Sequence, residues 1–165
     1  MCAASPLPAN TDEVLRLFPQ PVAVIGAVRD GETGGLTAAW VTRVSIDPPL
    51  VLVSVGHERY TWHLLETASQ FTVSLLAEGQ VAEGRLFGRH SRRDRDKWAE
   101  VEHVLLGEGV PALGRCSARL LCEIEGRFTT GDHDCLVGRV TVAEVVDGAP
   151  ALPMRGEDWA PGDDD

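Results

Sequence analysis

Four stretches of the chain carry residues whose types and spacing suit chemistry. Residues 54–61 read SVGHERYT: the chain leaves an apolar run, passes Gly56 and enters a short helix near Arg59, Tyr60 and Thr61. A helix start offers unpaired N–H groups and Arg59 adds a fork of donors, a combination that suits a phosphate monoester. A capped helix with a surface Arg explains the same residues equally well. Residues 131–133, Gly-Asp-His, place His133 just after a tight turn, where it could face a cleft and exchange a proton, or simply face solvent. The basic loop Arg89, Arg92, Arg93, Arg95 and Lys97 is interleaved with Asp94 and Asp96, which reads first as a salt-bridged surface and second as a local anion site. No spacing resembles a nucleophilic triad or a carboxylate pair. A zinc set from Cys122, His133 and Cys135 lacks a second spaced pair to complete a tetrahedron.

The fourth stretch, GGLTAAWVTRVSIDPPLVLVSV at 34–55, is the most informative. Thr37, Ala38, Ala39, Thr42 and Ser45 precede the sharp Asp47-Pro48-Pro49 corner, and small or hydroxylated side chains let a flat ligand approach the backbone. Close packing of a plain barrel strand accounts for those residues as well.

The elements that must hold these groups are mostly strands. A helix is expected over 12–18, with Thr11 as its N-cap and Pro19 ending it. Residues 21–28 and the turn 29–35 make a hairpin leading into the small-residue segment. Residues 49–55 form a continuous apolar strand expected to be buried on both faces. Helices are expected over 60–68 and 78–87, with a strand over 71–76 between them. Residues 117–127 alternate in polarity, Leu121 being the one breach, and pair through Gly131-Asp132 with a strand over 135–146. Residues 1–150 are expected to form one domain, with an acidic, flexible tail over 151–165. Strands outnumber helices, and long hairpins dominate over βαβ units. A closed or nearly closed antiparallel barrel with short flanking helices fits best. No GxGxxG or GxxxxGK[ST] occurs, so a nucleotide cofactor needs a non-Rossmann device.

Composition narrows the partners. The 165 residues carry a net charge of −10, 44% hydrophobic and 24% charged residues, the profile of an ordinary globular chain. The negative field disfavours nucleic acid and anionic membrane as partners. No apolar run reaches membrane-span length, and the start lacks the pattern of a signal peptide. The four cysteines form no CxxC pair. Cys116 and Cys122, about 20 Å apart on one strand, lie beyond disulfide reach. Free thiols and a cytoplasmic location are expected.

Taken in order, LTAAWVTRVSIDPPLVLVSV (36–55), ERYTWHLL (58–65), FTVSLLAEGQ (71–80), FGRHSRRDRDKW (87–98) and GDHDCLVGRV (131–140) resemble the flavin reductase-like FMN-binding split-barrel family, most closely its flavoredoxin-type branch. The resemblance covers roughly 19–146. It implies a mainly β fold, a six-stranded antiparallel split β-barrel with short flanking helices, usually a homodimer with FMN near the interface. Carried over, Thr37, Ala38, Ala39, Trp40 and Thr42 lie along the flavin, largely through backbone groups. Ser54 and Val55 continue that wall, and Arg59, Tyr60 and Thr61 hold the phosphate. His133 is the catalytic candidate near the nicotinamide, and Lys97 belongs to a motif of the branch. The implied activity is that of an NAD(P)H:flavin oxidoreductase passing electrons to free flavin, ferric complexes, a redox partner protein or a monooxygenase component. The other implied activity is that of an FMN electron carrier without NAD(P)H turnover. The family's Ser/Thr-rich SSF stretch is Ala38-Ala39-Trp40 here, and its Asn/Ser-rich phosphate loop is Gly56-His57-Glu58-Arg59.

Overall fold

The structure, a computed structural model, describes residues 8–159. Its framework is one antiparallel sheet with strand order β2-β1-β5-β8-β9-β4-β3. The strands are β1 (Ala23–Arg29), β2 (Glu32–Ala38), β3 (Val41–Ser45), β4 (Leu50–Gly56), β5 (Gln70–Leu75), β8 (Ala118–Thr130) and β9 (His133–Val145). A separate hairpin, β6 (His103–Leu106) and β7 (Val110–Leu113), has no counterpart in the sequence expectations. The mainly β, antiparallel split-barrel expectation holds, with seven strands in the main sheet instead of six. β2 and β3 are separate strands because the chain breaks its ladder at Ala39 and Trp40.

Local chemistry explains where the boundaries moved. The first hairpin turns in only two residues, Asp30 (φ 52) and Gly31 (φ 79), so β2 starts at Glu32 and the expected long turn is mostly strand. Both residues have the positive φ that matches a two-residue turn to the twist of its strands. α1 covers Thr11–Leu15. Thr11 is its first helical residue, not its cap, and its hydroxyl donates to the Pro8 carbonyl at 2.8 Å. α2 (Tyr60–Leu65) ends three residues before expectation, where Arg127 donates to the carbonyls of Leu65 and Ala68. α3 spans Val81–Arg89.

β4 is not buried on both faces. Val51, Val53 and Val55 enter the core, while Leu50, Leu52 and Ser54 are half-buried, the two leucines beside an open cleft. The Leu121 breach has a cause on the other face of the sheet: Leu121 pairs with Thr72, which faces β7, and its side chain is buried beneath Gly107 of the β6–β7 turn, while Cys122 pairs with Phe71 in the barrel core. The tail expectation fails over 151–159. Leu152 is buried and its N–H donates to Leu76 O at 2.8 Å, while Val22 N donates to Leu152 O at 2.9 Å. A 3-10 turn, Gly156–Trp159, then lays Trp159 against Gly84. The acidic end, 163–165, and Cys2 lie outside the described residues.

Two apolar cores result. One fills the barrel beneath α2, with Ile25, Val53, Phe71 and Leu136. The other lies outside the sheet beneath α3, with Val24, Phe87, Trp98 and Leu152. Cys116 and Cys122 are free thiols in these cores, and burial pushes them up to about 11 and about 12, so neither is a reactive thiolate. Among the described residues no helix is long and apolar enough to cross a membrane.

The β6–β7 hairpin is seated on β1 and β5 by Thr72 Oγ1 donating to Pro111 O (2.5 Å) and Leu113 N donating to Ser74 Oγ (3.0 Å). Gly26 permits that approach, since a Cβ there would lie 2.0 Å from Pro111 O. Gly26→Ala is therefore expected to destabilise the fold by about 1–3 kcal/mol, read as a thermal midpoint lowered by roughly 5 °C; an unchanged midpoint would contradict this seating.

Candidate functional site

The site starts from the edge of β2. Three successive carbonyls there accept hydrogen bonds from the segment that follows α3. Arg92 Nε donates to Thr33 O (3.2 Å), Trp98 Nε1 to Gly34 O (3.0 Å) and Lys97 Nζ to Gly35 O (2.7 Å). Lys97, the chain's one lysine, also donates to His90 O at 2.7 Å and Phe87 O at 3.3 Å. Its three N–H groups thus meet three carbonyls, and its ammonium stands 5.3 Å from the centre of the Phe87 ring. Burial pushes Lys97 down to about 8, with Arg59 and Arg92 adding repulsion. The two glycines of β2 make this packing possible. A Cβ at Gly35 would strike the Phe87 and Trp98 rings at 2.6 and 2.9 Å, and one at Gly34 would strike Leu64 and Thr61 from the other face.

Beside Lys97 lies a cavity of about 150 Å³ bordered by Arg59, Arg89, Arg92, Lys97, Tyr60 and Ser91 among others. Arg59 Nη1 donates to Gly88 O at 3.0 Å, and its Nε pairs with Glu58 at 3.1 Å. The Tyr60 hydroxyl donates to Glu32, a hydrogen bond that raises the phenol's pKa, and Arg93 lies 5.4 Å over the Tyr60 ring. Thr61 is buried under Gly34. α2 has only six residues, so the positive charge around this cavity comes from its cationic side chains and not from a helix dipole. The salt-bridged reading of the basic loop applies to Arg95, which makes two 2.6 Å hydrogen bonds to Glu100. It does not apply to the buried Lys97.

A second region lies further along β2. Trp40 O accepts from Ser54 N at 3.0 Å, so Trp40 and Ser54 adjoin. The Trp40 ring is 52% exposed and stands 4.7 Å from the His133 ring. His133 Nδ1 lies 2.7 Å from Asp132, a hydrogen bond that holds the Asp132 carboxyl below its usual range. Ala39, Trp40 and Thr42 border an open apolar cleft of about 980 Å³, floored by Leu50, Leu52, Val73 and Leu120 among others.

The sequence candidates therefore fall into two groups. Arg59, Tyr60, Thr61 and Lys97 gather at the cationic cavity; Ala39, Trp40 and Thr42 gather at the cleft, with Ser54 and His133 against Trp40. The side chains of Thr37, Ala38 and Val55 belong to neither. Thr37 Oγ1 donates to Gly84 O on α3 at 2.6 Å, and Ala38 and Val55 are buried in the barrel core. Gly35 and Trp40 are five residues apart, at most about 17 Å. A ligand with a phosphate at one end and a flat ring at the other spans that interval.

One group was missed from the sequence. Asp134, paired in register with Val55, accepts from His57 Nε2 at 3.0 Å and Trp62 Nε1 at 2.8 Å. It clasps the turn that bears Arg59 to the strand that bears His133. The spacing carries no signal, since these residues lie 77 and 72 positions apart. Among the described residues no cluster of His, Cys, Asp or Glu could hold a metal ion.

The chain is thus a split antiparallel barrel with a small cationic cavity at one end of β2 and an apolar cleft beyond its other end. Residues 15–157 match the flavin reductase like domain. An NADH-dependent FAD reductase of Streptomyces globisporus is 38% identical over 128 residues, 76% of this chain and 70% of that protein. An NADH:riboflavin 5′-phosphate oxidoreductase of Streptomyces pristinaespiralis is 32% identical over 148 residues, 88% of this chain and 81% of that protein. The crystal structure of an FMN-binding protein from Thermus thermophilus with bound 1-cyclohex-2-enone has a TM-score of 0.81 and 33% identity, covering 96% of this chain and 92% of that one. The chain belongs to the flavin reductase-like family of oxidoreductases.

The clasp at Asp134 has a pH signature. Hydrogen bonds from His57 and then Trp62 hold the Asp134 carboxyl below its ordinary range, so the stabilisation is present above the unfolded carboxylate pKa of about 4 and is lost as pH falls through the lower folded value. Asp134→Asn is expected to cost about 1–2 kcal/mol at neutral pH. In urea titrations the gap to wild type should close as the pH is taken below 4; a gap that does not change with pH would contradict the ionic clasp.

Proposed function

We propose that the protein is an NADH:flavin oxidoreductase that works with FMN, its phosphate in the cationic cavity and its ring along Trp40 towards His133. The observation that carries this reading is the pairing of two unlike pockets along β2, one lined by Arg59, Arg89, Arg92 and Lys97, the other apolar and walled by Trp40. The donor set fits a phosphate monoester: guanidinium forks for its oxygens, with a cavity of about 150 Å³ sized for one such group. The names of two relatives, an NADH-dependent FAD reductase and an NADH:riboflavin 5′-phosphate oxidoreductase, support NADH as donor.

Bound there, FMN supplies the acceptance of hydride from the nicotinamide and the onward release of electrons. The chain's own residues do the rest. Arg59 and Arg92 hold the phosphate, and Lys97 keeps the loop that presents them in place. Trp40 and the cleft exclude water from one side of the ring. With Nδ1–H given to Asp132, His133 presents Nε2 as the atom that accepts or returns a proton. Thr37, Ala38, Ala39 and Val55 contribute backbone groups, and Thr42 and Ser54 continue the wall.

A homodimer is the proposed assembly. Trp40, Val44 and Ile46, on β3 and the residues flanking it, expose apolar surface, Ile46 to 79%, of the kind that association buries. The proposed consumer of electrons is a monooxygenase component. The reductase component of a 4-hydroxyphenylacetate 3-monooxygenase from Thermus thermophilus, 33% identical over 140 residues, supports that role.

Two substitutions separate binding from turnover. Arg59→Ala should weaken FMN by about tenfold or more and leave riboflavin nearly unchanged in fluorescence-quenching titrations, as loss of a charge-assisted contact implies. Equal loss for both flavins would refute the phosphate assignment. His133→Ala should slow NADH oxidation by about 100-fold, the usual scale of general acid–base assistance, with FMN still bound; an unchanged rate would remove His133 from the mechanism.

A further inference from the structure

Glu58 is the single carboxylate among the residues that border the cationic cavity. Its Oε1 lies 3.1 Å from Arg59 Nε, on the guanidinium that the phosphate of FMN would engage. The side chain folds back over its own turn. The position of a Cβ built at Gly56 is 2.6 and 2.8 Å from the two Glu58 oxygens, so the carboxylate lies close against the Gly56 backbone. The neighbouring acids are engaged elsewhere: Glu32 with the Tyr60 hydroxyl, Asp96 with Arg92 at 3.5 Å and Glu100 with Arg95. Glu58 is also 68% exposed, so it can leave Arg59 without disturbing the core.

A carboxylate paired with a guanidinium at the border of an anion-sized cavity is an internal competitor for an incoming anion. We propose that Glu58 is a resident counter-anion that competes with the flavin phosphate for Arg59 and so sets how tightly FMN is held. The inference rests on the reading of the cavity as a phosphate site and deepens it. Phosphate binding releases Glu58 to solvent, and departure of the flavin is assisted by the return of the carboxylate. The residue thereby favours a flavin that exchanges over one that stays as a permanent prosthetic group. It is a specificity-tuning residue, and it acts on the charged end of the ligand alone.

The test is Glu58→Gln, which keeps the shape and removes the charge, titrated with FMN and with riboflavin and followed by quenching of flavin fluorescence. Asp30→Asn, at an exposed turn away from the cavity, serves as a control for the change in net charge. FMN should bind about three- to tenfold more tightly to Glu58→Gln, the scale expected for removing one exposed competing charge, with riboflavin unchanged and Asp30→Asn like wild type. FMN affinity that is unchanged or weaker overturns the proposal. So does equal tightening for both flavins, or equal tightening in Asp30→Asn. Wild-type protein that binds FMN no better than riboflavin removes the phosphate site itself, and the role of Glu58 with it.

Discussion

The buried ammonium of Lys97 is the constraint on which the site depends. An unpaired charge in an apolar core costs several kcal/mol, so the surrounding chain must offer it acceptors. It does so with the carbonyls of Gly35, Phe87 and His90, drawn from β2, α3 and the loop that follows. Those three points fix the loop over the strand. Trp98 and Arg92 lie on the same segment and complete the attachment through the neighbouring carbonyls of β2. Cations that would otherwise wave in solvent are thereby held around one small cavity. A net charge of −10 does not oppose this, because screening confines the overall field to about 8–10 Å at physiological salt, whereas the cavity's cations act at contact.

The same strand joins the two halves of the site. Its first part packs on both faces, which requires Gly34 and Gly35, and its last part leaves the ladder at Ala39, where Trp40 turns towards His133. Asp134 then ties the Arg59 turn to the His133 strand. The residues of the cationic cavity and those of the cleft are thus positioned by one strand, one loop and one clasp. This division suits a protein whose cofactor performs the electron chemistry and whose side chains bind, orient and supply a proton.

Much of this was legible in the sequence because it rests on local pattern. Alternation along 117–127 identified the long β8–β9 hairpin, and the basic loop and the SVGHERYT turn each offered an anion site as one of two readings. What stayed hidden depends on residues far apart in the chain. The β6–β7 hairpin, in LLGEGVPAL, is too short and too glycine-rich to alternate. The packing of 151–159 was obscured by Pro, Gly and Asp, although Leu152 inserts beneath α3. The role of Lys97 could not be read either, since a lysine in a run of charges looks solvated until β2 is laid beside it. The expected double burial of β4 failed because half its apolar side borders an open cleft.

The most direct test of the account is a crystal structure of the protein with FMN. The phosphorus is expected between the guanidinium groups of Arg59 and Arg92, with Glu58 displaced and the ring reaching Trp40 and His133. A flavin whose phosphate lies away from that cavity, with Arg59 still paired to Glu58, would contradict it.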